Sequence, residues 1–141
     1  MKVAIGGAGN VGRSIAQELI ENGHTVLLIE RAPSMLRPER VPAAEWILAD
    51  CCELASLQEA NLADCDVVVA ATGDDKVNLV LSLLAKTEFA VARVAYLMRF
   101  GLGMLPNPST VLQDGDQVFM LVTDDMMGPV TKITGRPPVA P

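Results

Sequence analysis

Histidine is almost missing from this sequence. His24 is the only one, and it falls between a helical pattern and a strand pattern, where it reads as a spacer and not as a catalyst. Tyr96 is the only tyrosine and lies outside every nucleotide-type motif. A hydride-transferring oxidoreductase needs a proton donor or acceptor beside the nicotinamide, and usually a substrate domain; both gaps count against that class. Cysteine is sparse and odd in number, with Cys51, Cys52 and Cys65. That count excludes a secreted disulfide framework, and with His24 the spacing fits no zinc pattern. Reduced, mostly buried thiols are expected. Positive charge is also short: 11 Lys and Arg face 17 Asp and Glu, for a net charge of −6 and a pI near 4.6. Such a balance argues against nucleic acid and against direct adhesion to an anionic membrane. No apolar run approaches the ~18–20 residues of a membrane span. The richest stretch, Val77 to Ala85, is short and interrupted. Lys2 leads straight into a strand pattern, with no signal-peptide pattern before it. These absences lead to the expectation of a soluble cytoplasmic protein.

What is present begins with glycine. Val3-Ala4-Ile5 is a short apolar run, and Gly7, Gly9 and Gly12 follow it in G-x-G-x-x-G spacing. Val11, Ile15 and Leu19 then repeat on one helical stripe. Strand, glycine turn and helix in that order form the dinucleotide-binding fingerprint. Gly7 permits the tight turn, Gly9 admits close approach of a pyrophosphate, and Gly12 lets the helix sit on the strand. The N–H groups at the helix start, near Asn10 and Val11, are placed to face phosphates along the positive end of the helix dipole. Glu30 ends the next apolar run, Val26 to Ile29, about 20 residues further on, where an acid can accept hydrogen bonds from ribose hydroxyls.

Further along, alternation predicts β-α-β-(α)-β-α-β-α up to Lys86. That implies a parallel sheet with helices on both faces and right-handed crossovers. The expected elements are a helix from Asn10 to Asn22 closed by Gly23, a strand from Thr25 to Ile29, and an irregular stretch with one helical turn at Ser34 to Leu36. A strand from Trp46 to Ala49 comes next. Asp50 and Glu53 have capping-box spacing for a helix from Glu53 to Glu59, and the same strand end is placed to line an adenine pocket. A continuous β-branched run from Asp66 to Ala71 suits a strand buried on both faces. Thr72 and Asp74 are N-cap candidates for an apolar helix from Lys76 to Lys86. From Val91 the texture changes. Val91 to Met98 reads as a strand, Phe100 to Gly103 as a turn, and Pro106 and Pro108 as a break. Gln113 to Asp116 is a turn signal, Gln117 to Thr123 a strand, Asp124 to Ile133 a short helix, and 135–141 a tail. The fold expected is α/β: a Rossmann-like doubly wound parallel sheet over residues 1–91, with a small C-terminal antiparallel β unit over 92–134.

Several of these segments resemble a known family. Gly7-Ala8-Gly9-Asn10-Val11-Gly12-Arg13, Leu28-Ile29-Glu30-Arg31, Leu48-Ala49-Asp50-Cys51 and Val69-Ala70-Ala71-Thr72-Gly73-Asp74-Asp75-Lys76-Val77-Asn78-Leu79 resemble, in order, the N-terminal domain of TrkA proteins, the regulator of potassium conductance (RCK) domain. Arg99-Phe100-Gly101, Leu105-Pro106 and Leu112-Gln113-Asp114-Gly115-Asp116 resemble the latter half of that family's small C-terminal domain. The resemblance implies a cytoplasmic regulatory subunit of a Trk or Ktr type potassium uptake system. Such a subunit binds NAD(H) or ATP/ADP without chemistry, works as a homo-oligomer, and sits at the inner face of the cell membrane through a membrane-embedded potassium channel subunit. Gly7, Ala8, Gly9, Asn10, Val11 and Gly12 would hold phosphates, and Glu30 the adenosine ribose. Arg31 would lie over the adenine side, Asp50 and Cys51 would border the adenine, and Thr72 and Gly73 would approach ribose and phosphates. The resemblance also implies a departure: the family's dimer lobe and the front half of its second domain have no counterpart after Val91. Strands near Val94 and Val118 would then carry unpaired edges, which favour self-association. Two other readings stand beside this one, a shortened remnant acting through a full-length partner and a small NAD-dependent oxidoreductase.

Overall fold

In a computed structural model, the backbone is described for residues 1–99, 102–104 and 117–121, and side chains up to residue 94. The expected turn at Gln113 to Asp116, the proline break before it, the helix from Asp124 and the tail lie outside the described residues. The sheet order is β3-β2-β1-β4-β5-β6, with β7 paired to β5. The strands are β1 (Lys2–Gly6), β2 (Thr25–Glu30), β3 (Glu45–Leu48), β4 (Val67–Ala70), β5 (Arg93–Arg99), β6 (Leu102–Met104) and β7 (Gln117–Leu121). Pairings among β1 to β5 are all parallel. The helices are α1 (Asn10–Glu21), α2 (Leu54–Glu59) and α3 (Asp75–Thr87).

Alternation along each strand builds two cores. Ala4, Leu27, Ile29, Val68 and Ala70 face one side and pack with Leu57 of α2 and Leu81 and Ala85 of α3. Val3, Ile5, Val26, Leu28 and Val69 face the other, with Ala16 and the flanking Ile15 and Leu19 of α1. Helices therefore cover both faces, as a parallel sheet requires. Strand order reverses between β1 and β4, and that switch point leaves a crevice at the carboxyl ends of the strands.

The element boundaries agree with the sequence to within one or two residues, with some differences of substance. Gly23 has φ +80 and its N–H bonds the Ile20 carbonyl, so it closes α1 as expected. The capping box at Asp50 does not form. Asp50 Oδ1 accepts the Cys52 N–H at 2.8 Å, a local turn, while Glu53 is the residue before α2 and accepts from Ser56 Oγ. The helical turn after β2 spans Pro33–Met35, and a second follows at Pro38–Arg40. Part of the expected turn at Phe100 to Gly103 is instead strand, because Gly103 and Leu102 pair with Met98 and Arg99. The expected unpaired edge at Val94 is also absent. Val94 is registered with Val68 on one side and Leu121 on the other, since β7 folds back antiparallel onto β5.

Candidate functional site

The turn between β1 and α1 is shaped by three glycines with three separate causes. Gly7 has φ +102, and a Cβ there would come 2.7 Å from the Ala71 carbonyl oxygen. Gly12 lies so close to Gly7 that a Cβ would overlap the Gly7 carbonyl oxygen. Gly9 is different: its φ of −67 suits any residue, and a Cβ would meet nothing within 4 Å. Its surface is bare toward the cleft. Gly9 is also the N-cap of α1, with no side-chain cap and no acid in the first turn. No side chain of α1 itself therefore caps the positive end of its dipole.

Polar groups brace this turn from below. The Gly7 N–H bonds the Ile29 carbonyl at 2.8 Å. Arg13 donates to the Ala8 carbonyl at 2.6 Å and to Asn10 Oδ1 at 2.7 Å. Glu30 ties two loops together, with Oε2 accepting the Ala8 N–H at 2.9 Å and Oε1 the Ala32 N–H at 2.8 Å. An ionised carboxylate offers about four lone-pair sites, so two remain for a ligand.

Across the crevice, β4 ends in the Thr72-Gly73-Asp74 loop. Asp74 caps α3 by accepting the Lys76 N–H at 2.8 Å, as its position suggested. Thr72, the other cap candidate, is instead held by Asn78. Asn78 Oδ1 accepts from the Thr72 N–H at 3.0 Å and from its hydroxyl at 2.6 Å, and Asn78 Nδ2 donates to the Thr72 carbonyl at 3.1 Å. Asn78 is fully buried. It stands inside the segment that carries the family resemblance, yet nothing in its spacing marks it as part of the site.

These walls enclose a cleft of about 350 Å³, within the usual range for small-molecule sites. Gly7, Gly9, Glu30, Arg31, Asp50, Cys51, Thr72 and Gly73 all line it, joined by Ile29, Met35, Ala71, Asp74 and Val77. Four expected site residues do not. Ala8 and Gly12 are buried beneath the turn, and Asn10 and Val11 are exposed on the first turn of α1. Ala8, Val11 and Gly12 carry no polar side chain, the Ala8 N–H is taken by Glu30, and the Asn10 amide oxygen accepts from Arg13.

Cys51 is buried against the floor, its Sγ 3.0 Å from where a Cβ on Gly6 would stand. Burial, then the Asp50 carboxylate beside it, push its thiol from 9.0 up to about 12. Cys65 is buried too, and Cys52 is exposed. In the native chain, Cys52 should react with a disulfide reagent near neutral pH, and Cys51 and Cys65 only after unfolding. Fast native labelling of Cys51 would contradict its placement. The same shift has a sign in stability. A raised thiol contributes fully below its unfolded value, near pH 9, and the contribution falls as pH rises toward 12, by about 1.4 kcal/mol per unit. Among the described residues no cluster of His, Cys, Asp and Glu is arranged to hold a metal ion, and no helix is long and apolar enough to cross a membrane.

Comparison with known proteins fits this geometry. The model of the TrkA-N domain matches residues 3–99. The chain belongs to the TrkA-N family. A Trk system potassium uptake protein TrkA from Mycobacterium tuberculosis is 64% identical over 94 residues, covering 67% of this chain and 43% of that protein. A TrkA homolog from Methanothermobacter thermautotrophicus is 37% identical over 95 residues, covering 67% and 44%. The chain thus spans less than half the length of these curated relatives. Among solved structures, the Shewanella denitrificans Kef CTD in its AMP-bound form superposes with TM-score 0.51 at 21% identity, over 62% of this chain and 54% of that one. The Bordetella bronchiseptica enzyme WbmG in complex with NAD gives 0.52 at 21%, over 67% and 36%. At those identities the likeness is one of fold. It places the TrkA-N domain among Rossmann-like α/β proteins, which agrees with the sheet order and the glycine turn.

Proposed function

We propose that this TrkA-N domain is the adenine-nucleotide-binding part of a regulatory subunit of a Trk-type potassium uptake system, and that it binds without chemistry. The observation that carries the reading is the bare, uncapped start of α1 at Gly9, facing a cleft with Glu30 at one end and the Thr72 loop across from it. The diphosphate lies on the N–H groups of that helix start. Glu30 takes the ribose hydroxyls with its remaining lone pairs, and Arg31, Asp50 and Cys51 border the adenine. Glu30 also repels a 2′-phosphate, so NAD(H) or ATP/ADP is preferred over NADP(H), and NAD(H) is slightly favoured. Binding without turnover is supported by a lining of glycine backbone, apolar side chains, the Thr72 side chain, three carboxylates, one guanidinium and a thiol held protonated, with neither histidine nor tyrosine among the described residues that line it. The names of the relatives support a role in a Trk system of potassium uptake; the cytoplasmic place beside a membrane-embedded potassium channel subunit, and the homo-oligomer, are part of the proposal. In this reading the sequence divides into a nucleotide-binding unit over 1–91 and a partial TrkA-C-like segment over 92–134, although β5 pairs parallel with β4 and so extends the sheet of the first unit.

The test is thermal stability with NADH, NAD, ATP, ADP and NADPH in turn. A ligand that binds only the folded chain stabilises it by about 2.7 kcal/mol at 100 times its Kd. NADH or ATP should raise the midpoint and NADPH should not; no shift with any of them would overturn the reading. Glu30→Ala should weaken the active ligand by roughly 1.5–3 kcal/mol, the worth of a hydrogen bond to a charged group. It should also lower the midpoint of the free chain, because Ala8 and Ala32 lose their acceptor. Unchanged affinity would leave Glu30 with a structural role alone.

A further inference from the structure

We propose that Asn78 is a positioning residue for the second half of a dinucleotide, holding the Thr72-Gly73-Asp74 loop as the far wall of the cleft. The inference rests on the nucleotide reading of that cleft. It starts from a backbone problem. β4 ends at Ala70, and the Ala71 N–H makes the last bond to β1, at 2.8 Å to the Gly6 carbonyl. From Thr72 onward the chain has left the sheet while still lining the cleft.

Asn78 replaces the missing strand partner. Its amide satisfies both the N–H and the carbonyl of Thr72, as a neighbouring strand would, and takes the hydroxyl as well. The loop is thereby tied to α3 by side chain. Two neighbouring features show that this is separate from building the helix. Asp74 caps α3 through its own carboxylate, and the backbone bond of Asn78 to the Asp74 carbonyl is ordinary helix. Leucine has the same side-chain branching and needs no partner of its own, so a fully buried amide that bonds only Thr72 among the described residues points to control of Thr72.

Sheet order says which part of a ligand this wall meets. Glu30 stands at the end of β2 and marks the adenosine side. The turn after β1 takes the phosphates. β4 lies on the opposite side of β1 from β2, and a dinucleotide crosses such a switch point from one half of the sheet to the other. A mononucleotide fills the β2 side and the turn. A mononucleotide meets this wall only where Ala71 and Thr72 pack against Gly7 of the turn, whereas a second nucleoside lies along the end of β4, so the affinity of a dinucleotide depends more strongly on where Thr72 and Gly73 are held.

The experiment titrates NADH and AMP into the wild-type chain and into Asn78→Ala, with each variant shown to be folded by circular dichroism well below its melting midpoint. Both roles of Asn78 lower the midpoint, so stability does not discriminate between them. The ratio of affinities does. NADH should bind about tenfold more weakly to Asn78→Ala, a change of about 1.4 kcal/mol, with AMP within about twofold of wild type. Asn78→Asp keeps the acceptor for Thr72 but sets a carboxylate oxygen against the Thr72 carbonyl and adds a charge. It should weaken NADH at least as much as alanine does, with AMP less affected, and it serves alone if the alanine variant does not fold. Equal losses for NADH and AMP, or none for either, would overturn the proposal while leaving the nucleotide site standing. Failure of the wild type to bind either ligand would remove the site itself, and this inference with it.

Discussion

Gly12→Ala will cost this domain about 1–2 kcal/mol of stability, although the same substitution helps most helices. Position 12 is in the first turns of α1, where alanine is worth roughly 0.5–1 kcal/mol over glycine. Against that stands the Gly7 carbonyl oxygen, which a Cβ at position 12 would overlap, with the Gly7 carbonyl carbon at 3.0 Å. The obstacle is backbone in a turn pinned by Ile29, Glu30 and Arg13, so neither side yields cheaply. Overpacking of this kind costs typically 1–3 kcal/mol and at times more, and it outweighs the propensity gain. Denaturant unfolding of wild type and variant reads the difference. A variant as stable as wild type would mean that α1 can lift off β1, and that the turn is far softer than its bonds imply.

Gly9→Asp, three residues away, should leave the fold intact and remove binding. A side chain at position 9 meets open space and a φ that any residue adopts. Aspartate is also among the best N-cap residues, and its charge suits the helix dipole, so the free chain should be as stable as wild type or up to about 1 kcal/mol more so. For a nucleotide the same carboxylate is ruinous. It occupies the N–H groups that would hold the phosphates and places like charge against them. Charge-assisted hydrogen bonds contribute about 1.5–3 kcal/mol each, so the affinity should fall at least ~100-fold. Opposite signs for stability and binding make this substitution hard to explain away by misfolding. A titration curve unchanged from wild type would take the phosphates off this turn.

The two glycines also mark how far the sequence could be read. Strand and helix positions follow from apolar periodicity, and the G-x-G-x-x-G spacing assigned separate tasks to Gly7, Gly9 and Gly12. The structure bears out the turn at Gly7 and the close packing at Gly12. Gly7, Gly9, Glu30, Arg31, Asp50, Cys51, Thr72 and Gly73 do line one cleft at the strand ends, and Ala8, Asn10, Val11 and Gly12 do not. What could not be read is which partner each polar group chooses. Asp50 has the spacing of a helix cap but turns back to Cys52, because α2 begins after Glu53. Glu30 stands where a ribose acid stands, yet each of its oxygens first takes a backbone N–H. Asn78 looks like any polar residue on a helix until α3 is laid beside the end of β4. Gly6 seems an accident beside Gly7 until Leu81 of α3 is found where its Cβ would be. Each of these depends on contacts between elements far apart in sequence, which local patterns do not encode.

The central position of β1 has a consequence for how the chain comes to be folded. β1 is made first, and β2 can cover one of its edges soon after. Its other edge belongs to β4, Val67–Ala70, with roughly sixty residues between. At ordinary translation rates of ~5–20 residues per second, that gap lasts on the order of several seconds. Throughout that time the nascent β1-β2 pair presents Val3 and Ile5 on an open parallel edge, the kind of surface that recruits other chains. Non-local pairing of this kind also slows folding once the chain is complete. The step that ends the exposure is the docking of β4, so substitutions at Val68 or Val69 should reduce the yield of soluble protein more than their effect on the finished fold would suggest.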